Sequence, residues 1–279
     1  MVINMQCVNP FYLTKESIYV PCGKCLACRI SRTREWTLRL LHENEHQIFS
    51  AFVTLTYAPE HLPENLSVSK RSLQLYIKRL RKAYEHPIKY FACGEYGEQS
   101  RRPHYHLIIF GIPYTSELFQ NCWQYGHVKS GTVNKDSIQY VAAYVQKKAY
   151  GHTAQQYKEL GLSPEFQLQS QGLGLSWATK HYIQLSTDRF CRLSGAKVSL
   201  PRYYRQKLDI DTTDLAIEGH QEVLERISLI NSLKLDPTKI IHNYLLDRIF
   251  LNSILPAREF KLQHKYSLLS RDKITEVLL

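Results

Sequence analysis

Residues 93–111, with the sequence CGEYGEQSRRPHYHLIIFG, decide the fold of this chain. The stretch contains two histidines separated by one tyrosine, His104 and His106, and continues into the apolar run LIIF. A run of β-branched and aromatic residues is typical of a β-strand. Because side chains alternate between the two faces of a strand, both imidazoles are predicted to project from one face, close enough to share one ion.

A carboxylate adds to this pair. Glu95 follows the segment 89–94, which we predict to be the preceding strand, with a turn containing Gly and Ser before the histidines. Two imidazoles and a carboxylate suit a catalytic divalent cation: Mg²⁺ on availability, or Mn²⁺, which accepts imidazole more readily. The alternative is chance, because the chain has 12 His and histidines on strands are often surface polar residues.

Positive charge is concentrated in the first three quarters of the chain. The net charge is +11 over 279 residues; residues 1–209 hold 27 Lys and Arg against 15 Asp and Glu, whereas residues 210–279 hold 9 against 10. The basic part also holds all 3 Trp and most of the 19 Tyr. Positive charge interleaved with aromatic rings suits nucleic acid, although a merely basic protein has the same composition.

The sequence carries no sign of a membrane segment. It has no run of eighteen apolar residues, and the start, MVINMQCVNPFYL, lacks a basic region followed by an apolar one. We therefore expect no membrane association and a location in the cytosol of the cell that makes the protein.

Four cysteines cluster early in the chain: Cys7, Cys22, Cys25 and Cys28, the last three as CGKCLAC. This spacing is typical of tight turns around Zn²⁺ or an iron–sulfur cluster, and four thiolates would complete a closed structural zinc site. A disulfide is less expected in a chain with no export signal. The alternative is incidental or buried cysteines, because Cys7 is distant in sequence.

Strands and helices alternate through the first half of the chain. We predict a basic amphipathic helix over 29–47, a strand over 48–57, and a helix over 69–85 that starts at Ser69 or Ser72. Together with the paired strands around the histidines, this order indicates an α+β fold with an antiparallel hairpin at its centre.

Residues 112–136 are predicted to be irregular, with His127 a loop histidine rather than a further ligand. From residue 210 onward Leu and Ile dominate, which predicts a mainly helical segment that is structural or protein-binding. The predicted division is therefore 1–47, a cysteine-containing segment with a basic helix, then a core over 48–209, then a helical segment over 210–279.

The segment DSIQYVAAYVQKKAY, residues 136–150, is predicted to be a helix with Asp136 as its N-cap. Tyr140 and Tyr144 stand four residues apart, so both hydroxyls lie on one helical face. Phenols form covalent intermediates when nearby charge assists them, and Lys147, one turn on, would lower the phenol pKa or neutralise a phosphate. The alternative for two of 19 tyrosines is core packing.

Four motifs in this order resemble a known family. HYH before an apolar strand is similar to the His-hydrophobic-His motif of the HUH endonucleases, FVTLTY to their first motif and YVAAYVQKK to their nucleophile motif. Together with PCGKCLAC, they resemble the rolling-circle replication initiators of microviruses, small single-stranded DNA phages, in particular the gokushovirus branch. The likeness covers residues 7–150 well and the rest loosely.

The resemblance implies a ferredoxin-like HUH core whose central antiparallel sheet carries the histidines, with the tyrosine helix packed across it. It implies metal ligation by His104 and His106, with Glu95 as third ligand and Glu98 as the alternative. Tyr140 and Tyr144 would be the paired nucleophiles. Arg101, Arg102 and Lys148 are the residues expected to bind DNA.

The implied activity is nicking of the origin strand, which leaves a 5′-phosphotyrosine and a 3′-hydroxyl primer, followed by rejoining of the displaced strand. Single-stranded and origin duplex DNA and the host helicase and polymerase are the implied partners, in the host bacterial cytoplasm. The alternatives are an HUH transposase or relaxase, a non-catalytic zinc-containing nucleic-acid-binding protein, and a metal-dependent enzyme that uses water.

Overall fold

The computed structural model describes residues 7, 10–15, 18–97, 101–144, 157, 159–215 and 228. By their internal contacts these residues separate into two compact units, one within Leu26–Leu215 and one within Cys7–Cys25. The predicted three-part division of the chain is a different one and stays a prediction. Most of the expected helical segment over 210–279 lies outside the described residues.

The described helices alternate with strands, as the sequence predicts. The strands are β1 (Phe11–Leu13), β2 (Ile18–Val20), β3 (Ser50–Tyr57), β4 (Lys89–Tyr96), β5 (Pro103–Phe110), β6 (Gly126–Gly131), β7 (Phe166–Gln169), β8 (Phe190–Leu193) and β9 (Ala196–Ser199). The helices are α1 (Leu26–His46), α2 (Lys70–Ala83), α3 (Leu118–Asn121), α4 (Lys135–Ala143), α5 (Leu175–Lys180), α6 (Tyr182–Asp188) and α7 (Arg202–Leu208). Among them, none is long and apolar enough to cross a membrane.

A five-stranded sheet forms the centre of the larger unit. Its strand order is β6-β3-β5-β4-β7, and every neighbouring pair is antiparallel. The strand with the two histidines, β5, is therefore the middle strand, hydrogen-bonded on both sides. The α+β fold with a central antiparallel sheet, predicted from the sequence, is confirmed.

One face of the sheet is covered by α2. Alternate residues of the middle strand, Tyr105, Leu107 and Ile109, point to this face and are fully buried. The apolar residues of α2 recur at helical spacing and pack against them: Leu73, Tyr76, Ile77 and Leu80. This face has the all-apolar character expected of a sheet face that packs against an amphipathic helix.

The other face is covered by α1 and α4. Ile108 and Phe110 of β5 pack there against Ile138 and Val141 of α4, and all four are buried. His104 and His106 occupy the same set of alternate positions on β5, so they project from this face as predicted. Packing of α4 across the sheet thus brings the tyrosine helix to the histidine face.

Two local predictions were wrong. Asn134, not Asp136, is the N-cap of α4: its side chain accepts a hydrogen bond from the Ser137 backbone N–H at 2.8 Å, and the Ser137 hydroxyl completes a capping box. Residues 112–136 are not irregular, because they contain α3 and the edge strand β6, so His127 is a strand residue. The helix over 69–85 does begin at Ser69, which is its N-cap.

Candidate active site

The register of β4 and β5 builds a group of three polar side chains. Glu95 lies opposite His104 in the ladder, and His106 lies two residues further along on the same face. Glu95 Oε1 is 2.9 Å from Nε2 of both imidazoles. Glu95 and His106 are almost fully buried, at 4% and 6% exposure, whereas His104 is partly open to solvent.

Hydrogen bonds at the far ring nitrogens fix both imidazoles. Nδ1 of His104 lies 3.1 Å from the Arg102 carbonyl oxygen, which can only accept, so this nitrogen carries the proton. Nδ1 of His106 lies 3.1 Å from the Thr54 hydroxyl on β3, directly across the ladder. Outer hydrogen bonds of this kind orient metal-binding histidines and leave Nε2 as the coordinating atom.

The donor set fits a divalent cation. An ion bound at about 2.1 Å places adjacent ligand atoms about 3.0 Å apart, close to the separations between Glu95 and the two histidines. A carboxylate buried this deeply is costly unless a cation offsets its charge. The structure therefore has a group able to hold a metal ion, formed by Glu95, His104 and His106.

Two tyrosine hydroxyls meet beside this group. The Tyr144 hydroxyl donates a hydrogen bond to the Tyr140 hydroxyl at 2.5 Å, and the Tyr140 hydroxyl lies 3.4 Å from Nε2 of His106. The two side chains therefore share one face of the helix, as their spacing predicts. Their exposure differs: Tyr140 is 39% exposed and Tyr144 only 9%.

The environments of the two phenols differ in the same direction. Burial raises the pKa of Tyr144 far above its usual range, and the Glu95 carboxylate and the hydrogen bonds to Glu95 and Tyr140 raise it further. Its ring also stacks on His106, with centroids 5.6 Å apart. Tyr144 therefore stays protonated and can act as a hydrogen-bond donor to its neighbour.

Comparison with known proteins places this chain in a family. A family model described as a replication-associated protein of the ORF2 type matches residues 50–149. The replication-associated protein VP4 of Bdellovibrio phage phiMH2K is 31% identical over 222 residues, which cover 69% of this chain and 69% of that protein. The chain belongs to this family of phage replication-associated proteins. The replication-associated protein ORF2 of Spiroplasma virus 4 is 30% identical over 240 residues, or 74% of this chain and 72% of that protein.

A third relative of this family, the replication-associated protein ORF4 of Chlamydia phage 1, is 25% identical over 271 residues, which cover 88% of this chain and 66% of that protein. No solved structure matches the chain. The family match runs from the first residue of β3 through both tyrosines, so it contains every residue of the group described above.

Other predicted site residues are placed differently. Arg101 is exposed in the turn before β5, and the Arg102 guanidinium donates to the Tyr57 carbonyl oxygen at 2.9 Å. Lys147, Lys148 and the alternative ligand Glu98 lie outside the described residues. Their predicted roles stay predictions.

Two residues near the site were not predicted from the sequence. Thr54 is one, and its period-two position on β3 facing the histidines is the signal that marks it. His127 is the other: it pairs with Thr56, which pairs with His104 on its other side. His127 thus shares the histidine face but lies two strands away, about 10 Å from the group.

The N-terminal cysteines form a local cluster in the smaller unit. The sulfurs of Cys7, Cys22 and Cys25 lie within 4.8 Å of one another. Backbone N–H groups donate to two of them, Cys22 N to Cys7 Sγ at 3.2 Å and Cys25 N to Cys22 Sγ at 3.3 Å. Cys28, the fourth predicted ligand, is a buried residue of α1 in the larger unit. The structural zinc site stays a prediction.

Proposed function

We propose that this protein initiates rolling-circle replication of viral DNA by nicking the origin strand with a tyrosine, in a metal-dependent reaction. The observation that carries the proposal is the pair of hydrogen-bonded phenols beside Glu95, His104 and His106. Kinship with phage replication-associated proteins supports the biological setting, the replication of phage DNA in the cytoplasm of the host bacterium.

The proposed step is a transesterification at phosphorus. The Tyr140 oxygen forms a bond to the phosphorus atom while the bond from phosphorus to the 3′ oxygen breaks. The phenol loses its proton and the departing 3′ oxygen gains one, so the products are a 5′-phosphotyrosine and a free 3′-hydroxyl. The ester energy is kept in the phosphotyrosine bond, so attack by a 3′-hydroxyl rejoins the strand without ATP.

We assign the first attack to Tyr140. It is the more exposed of the two phenols, so a phosphodiester can reach it. It also accepts a hydrogen bond from Tyr144, which stabilises negative charge on the attacking oxygen. Tyr144, buried and held protonated, is the nucleophile for the second transfer, when the first phenol carries the strand.

Glu95, His104 and His106 are proposed to hold Mg²⁺ or Mn²⁺, with the Nδ1 hydrogen bonds keeping both rings oriented. A divalent cation at this place supplies Lewis-acid stabilisation of the charge that develops on the non-bridging phosphate oxygens. Arg101, Arg102 and Lys148 are proposed to contact the DNA backbone, and Lys147 to neutralise the phosphate. A host helicase and polymerase would extend the 3′-hydroxyl primer.

The decisive experiment traps the covalent adduct. The protein is incubated with internally labelled single-stranded circles of candidate phage DNA, with Mn²⁺ or with EDTA, and the products are run on a denaturing protein gel. We expect a metal-dependent, protease-sensitive adduct that disappears in Tyr140→Phe/Tyr144→Phe. Tyr182→Phe, at another exposed tyrosine, is the matched control and should keep the adduct.

The other outcomes separate the alternatives. Cleavage without an adduct would indicate water as the nucleophile, and binding with neither would indicate a non-catalytic nucleic-acid-binding protein. Nicking restricted to a transposon end or a plasmid transfer origin would indicate a transposase or relaxase. Among the single variants, loss of the first adduct in Tyr140→Phe but not in Tyr144→Phe is the result that the assignment of the first attack requires.

A further inference from the structure

The solvent face of α2 carries charge of one sign. The helix has the sequence KRSLQLYIKRLRKA, with six basic residues and no acidic one. Five of the six are exposed: Lys70, Arg71, Lys78, Arg81 and Lys82. We call these five residues the basic face of α2. The sixth, Arg79, is half-buried, and its Nε donates to the Cys122 carbonyl oxygen at 2.8 Å.

Helical spacing gathers the basic face into one stripe. At 100° per residue, its five members lie within about 120° of arc and extend over about 18 Å of the helix axis. The one other side chain within that arc is Gln74, which is uncharged and exposed. Within the described part of the chain, no carboxylate forms an ion pair with any of the five.

The helix that carries the stripe is held rigidly. Leu73, Tyr76 and Leu80 on its opposite side are fully buried against the sheet. At its start, the Tyr105 hydroxyl contacts both the N–H and the carbonyl of the N-cap Ser69, at 2.9 and 3.2 Å. The basic face is therefore a fixed surface, so a polyanion that binds it pays little ordering cost for the backbone.

We propose that the basic face of α2 binds the phosphate backbone of duplex DNA, on the side of the sheet opposite the tyrosines. Duplex DNA presents a dense row of phosphates, about one charge per 1.7 Å of its axis, which an unpaired cationic stripe complements. A single strand is the poorer fit, because its binding uses aromatic side chains on which bases stack, and the stripe has none. The assignment rests on the proposed function, because it takes DNA as the substrate.

This placement separates two tasks between the two faces of one sheet. The duplex next to the origin is held on the α2 side, while the unpaired origin strand enters on the side of Tyr140 and the histidines. The α2 contacts read no base edges, so they supply affinity and position rather than sequence specificity.

The test compares two variants with the same change in net charge. In the first, two arginines and two lysines of the basic face are neutralised: Arg71→Gln/Lys78→Gln/Arg81→Gln/Lys82→Gln. In the matched control, two arginines and two lysines exposed elsewhere in the larger unit are neutralised: Lys180→Gln/Arg192→Gln/Arg202→Gln/Lys207→Gln. Binding of each full-length variant to a short duplex and to a single-stranded oligonucleotide is measured over a range of salt concentrations.

We expect the α2 variant to bind the duplex about tenfold more weakly or worse, and to lose about 3 to 4 from the slope of log affinity against log salt. Its binding to the short single strand, and its adduct with that strand, should change less than about twofold. An equal loss in both variants would indicate a general charge effect and overturn the proposal. Equal weakening on duplex and single strand would overturn the duplex assignment.

Failure of the proposed function gives a different pattern. If the unmodified protein forms no adduct with any single strand, the nicking proposal fails while the duplex result is still interpretable. If the adduct forms but the salt slope of the α2 variant equals that of the unmodified protein, only the assignment of the α2 surface fails.

Discussion

The two faces of the central sheet use the same strand for different purposes. On the α2 face, Tyr105, Leu107 and Ile109 are fully buried in an apolar core, and two tyrosine hydroxyls there pair with each other. On the opposite face, the first half of β5 turns His104 and His106 toward one point, where Glu95 of β4 meets them. The first arrangement stabilises the fold, whereas the second concentrates polar groups that only a bound cation would compensate. The difference teaches that stability and chemistry are separated across the sheet rather than along it.

The largest expected effect breaks the chemical face and spares the other. His106→Ala removes a candidate ligand and should lower the nicking rate on the order of 10³-fold. Because the α2 core is untouched, the metal-free variant should unfold at the same denaturant concentration as the unmodified protein. Nicking rates and denaturant unfolding with EDTA present measure the two effects.

Metal-dependent thermal stability is a second readout of the same variant. Mn²⁺ should raise the melting temperature of the unmodified protein but not of His106→Ala, because a ligand that binds the folded state stabilises it. His127→Ala is the matched control, since it removes an exposed imidazole from the same face two strands away. An equal loss of nicking in His127→Ala would contradict the assignment of the ion site.

An intermediate effect breaks the stabilising face. The hydroxyl of Tyr105 contacts the Ser69 backbone and the Tyr57 hydroxyl, so Tyr105→Phe should reduce the free energy of unfolding by about 1–3 kcal/mol. Well below the melting temperature, nicking should change little. Denaturant titration of the metal-free protein measures the loss.

Tyr76→Phe is the control for this variant. The Tyr76 hydroxyl is buried with no hydrogen-bond partner among the described residues, so its removal should leave stability unchanged or slightly higher. A loss in Tyr76→Phe as large as that in Tyr105→Phe would mean that the Tyr105 hydrogen bonds are not the cause.

The smallest effect sharpens the comparison within the chemical face. Thr54→Val removes the partner of Nδ1 of His106 and should weaken Mn²⁺ binding about tenfold while the fold is kept. Thr54→Ser retains the hydroxyl and should retain the affinity. Titration with Mn²⁺ measures the affinity, and nitrogen chemical shifts of His106 report whether Nδ1 still carries the proton. Unchanged shifts and affinity in Thr54→Val would show that Thr54 does not orient the ring.

Local patterns were sufficient to predict the middle of the site. Period-two spacing places His104 and His106 on one face, and four-residue spacing places Tyr140 and Tyr144 on one helical side. Edge strand β6 was missed because its sequence, GHVKSG, has one strongly apolar residue; its pairing partner β3 is far earlier in sequence. Thr54 was missed for the same reason, since its partner His106 is 52 residues away.

The N-cap of α4 illustrates a different limit. Asn134 and Asp136 are both good capping residues, and the choice between them depends on which side chain meets the N–H of a residue three positions on. Asn134 does so because Ser137 returns a hydrogen bond to the Asn134 backbone N–H at 2.9 Å. Residue type alone does not decide between two such neighbours.

Tyr105 has a consequence for how this protein tolerates changes of length. It is the single residue between the two histidines, and its side chain fixes the start of α2 on the other side of the sheet. Deleting or inserting one residue within β5 would exchange the two faces, sending the imidazoles into the apolar core and the tyrosine away from α2. A frame of this kind accepts altered side chains one at a time, but an added or lost residue removes both the ion site and a helix anchor in one event. Tags or fused domains therefore belong in the connections between elements, never in this strand.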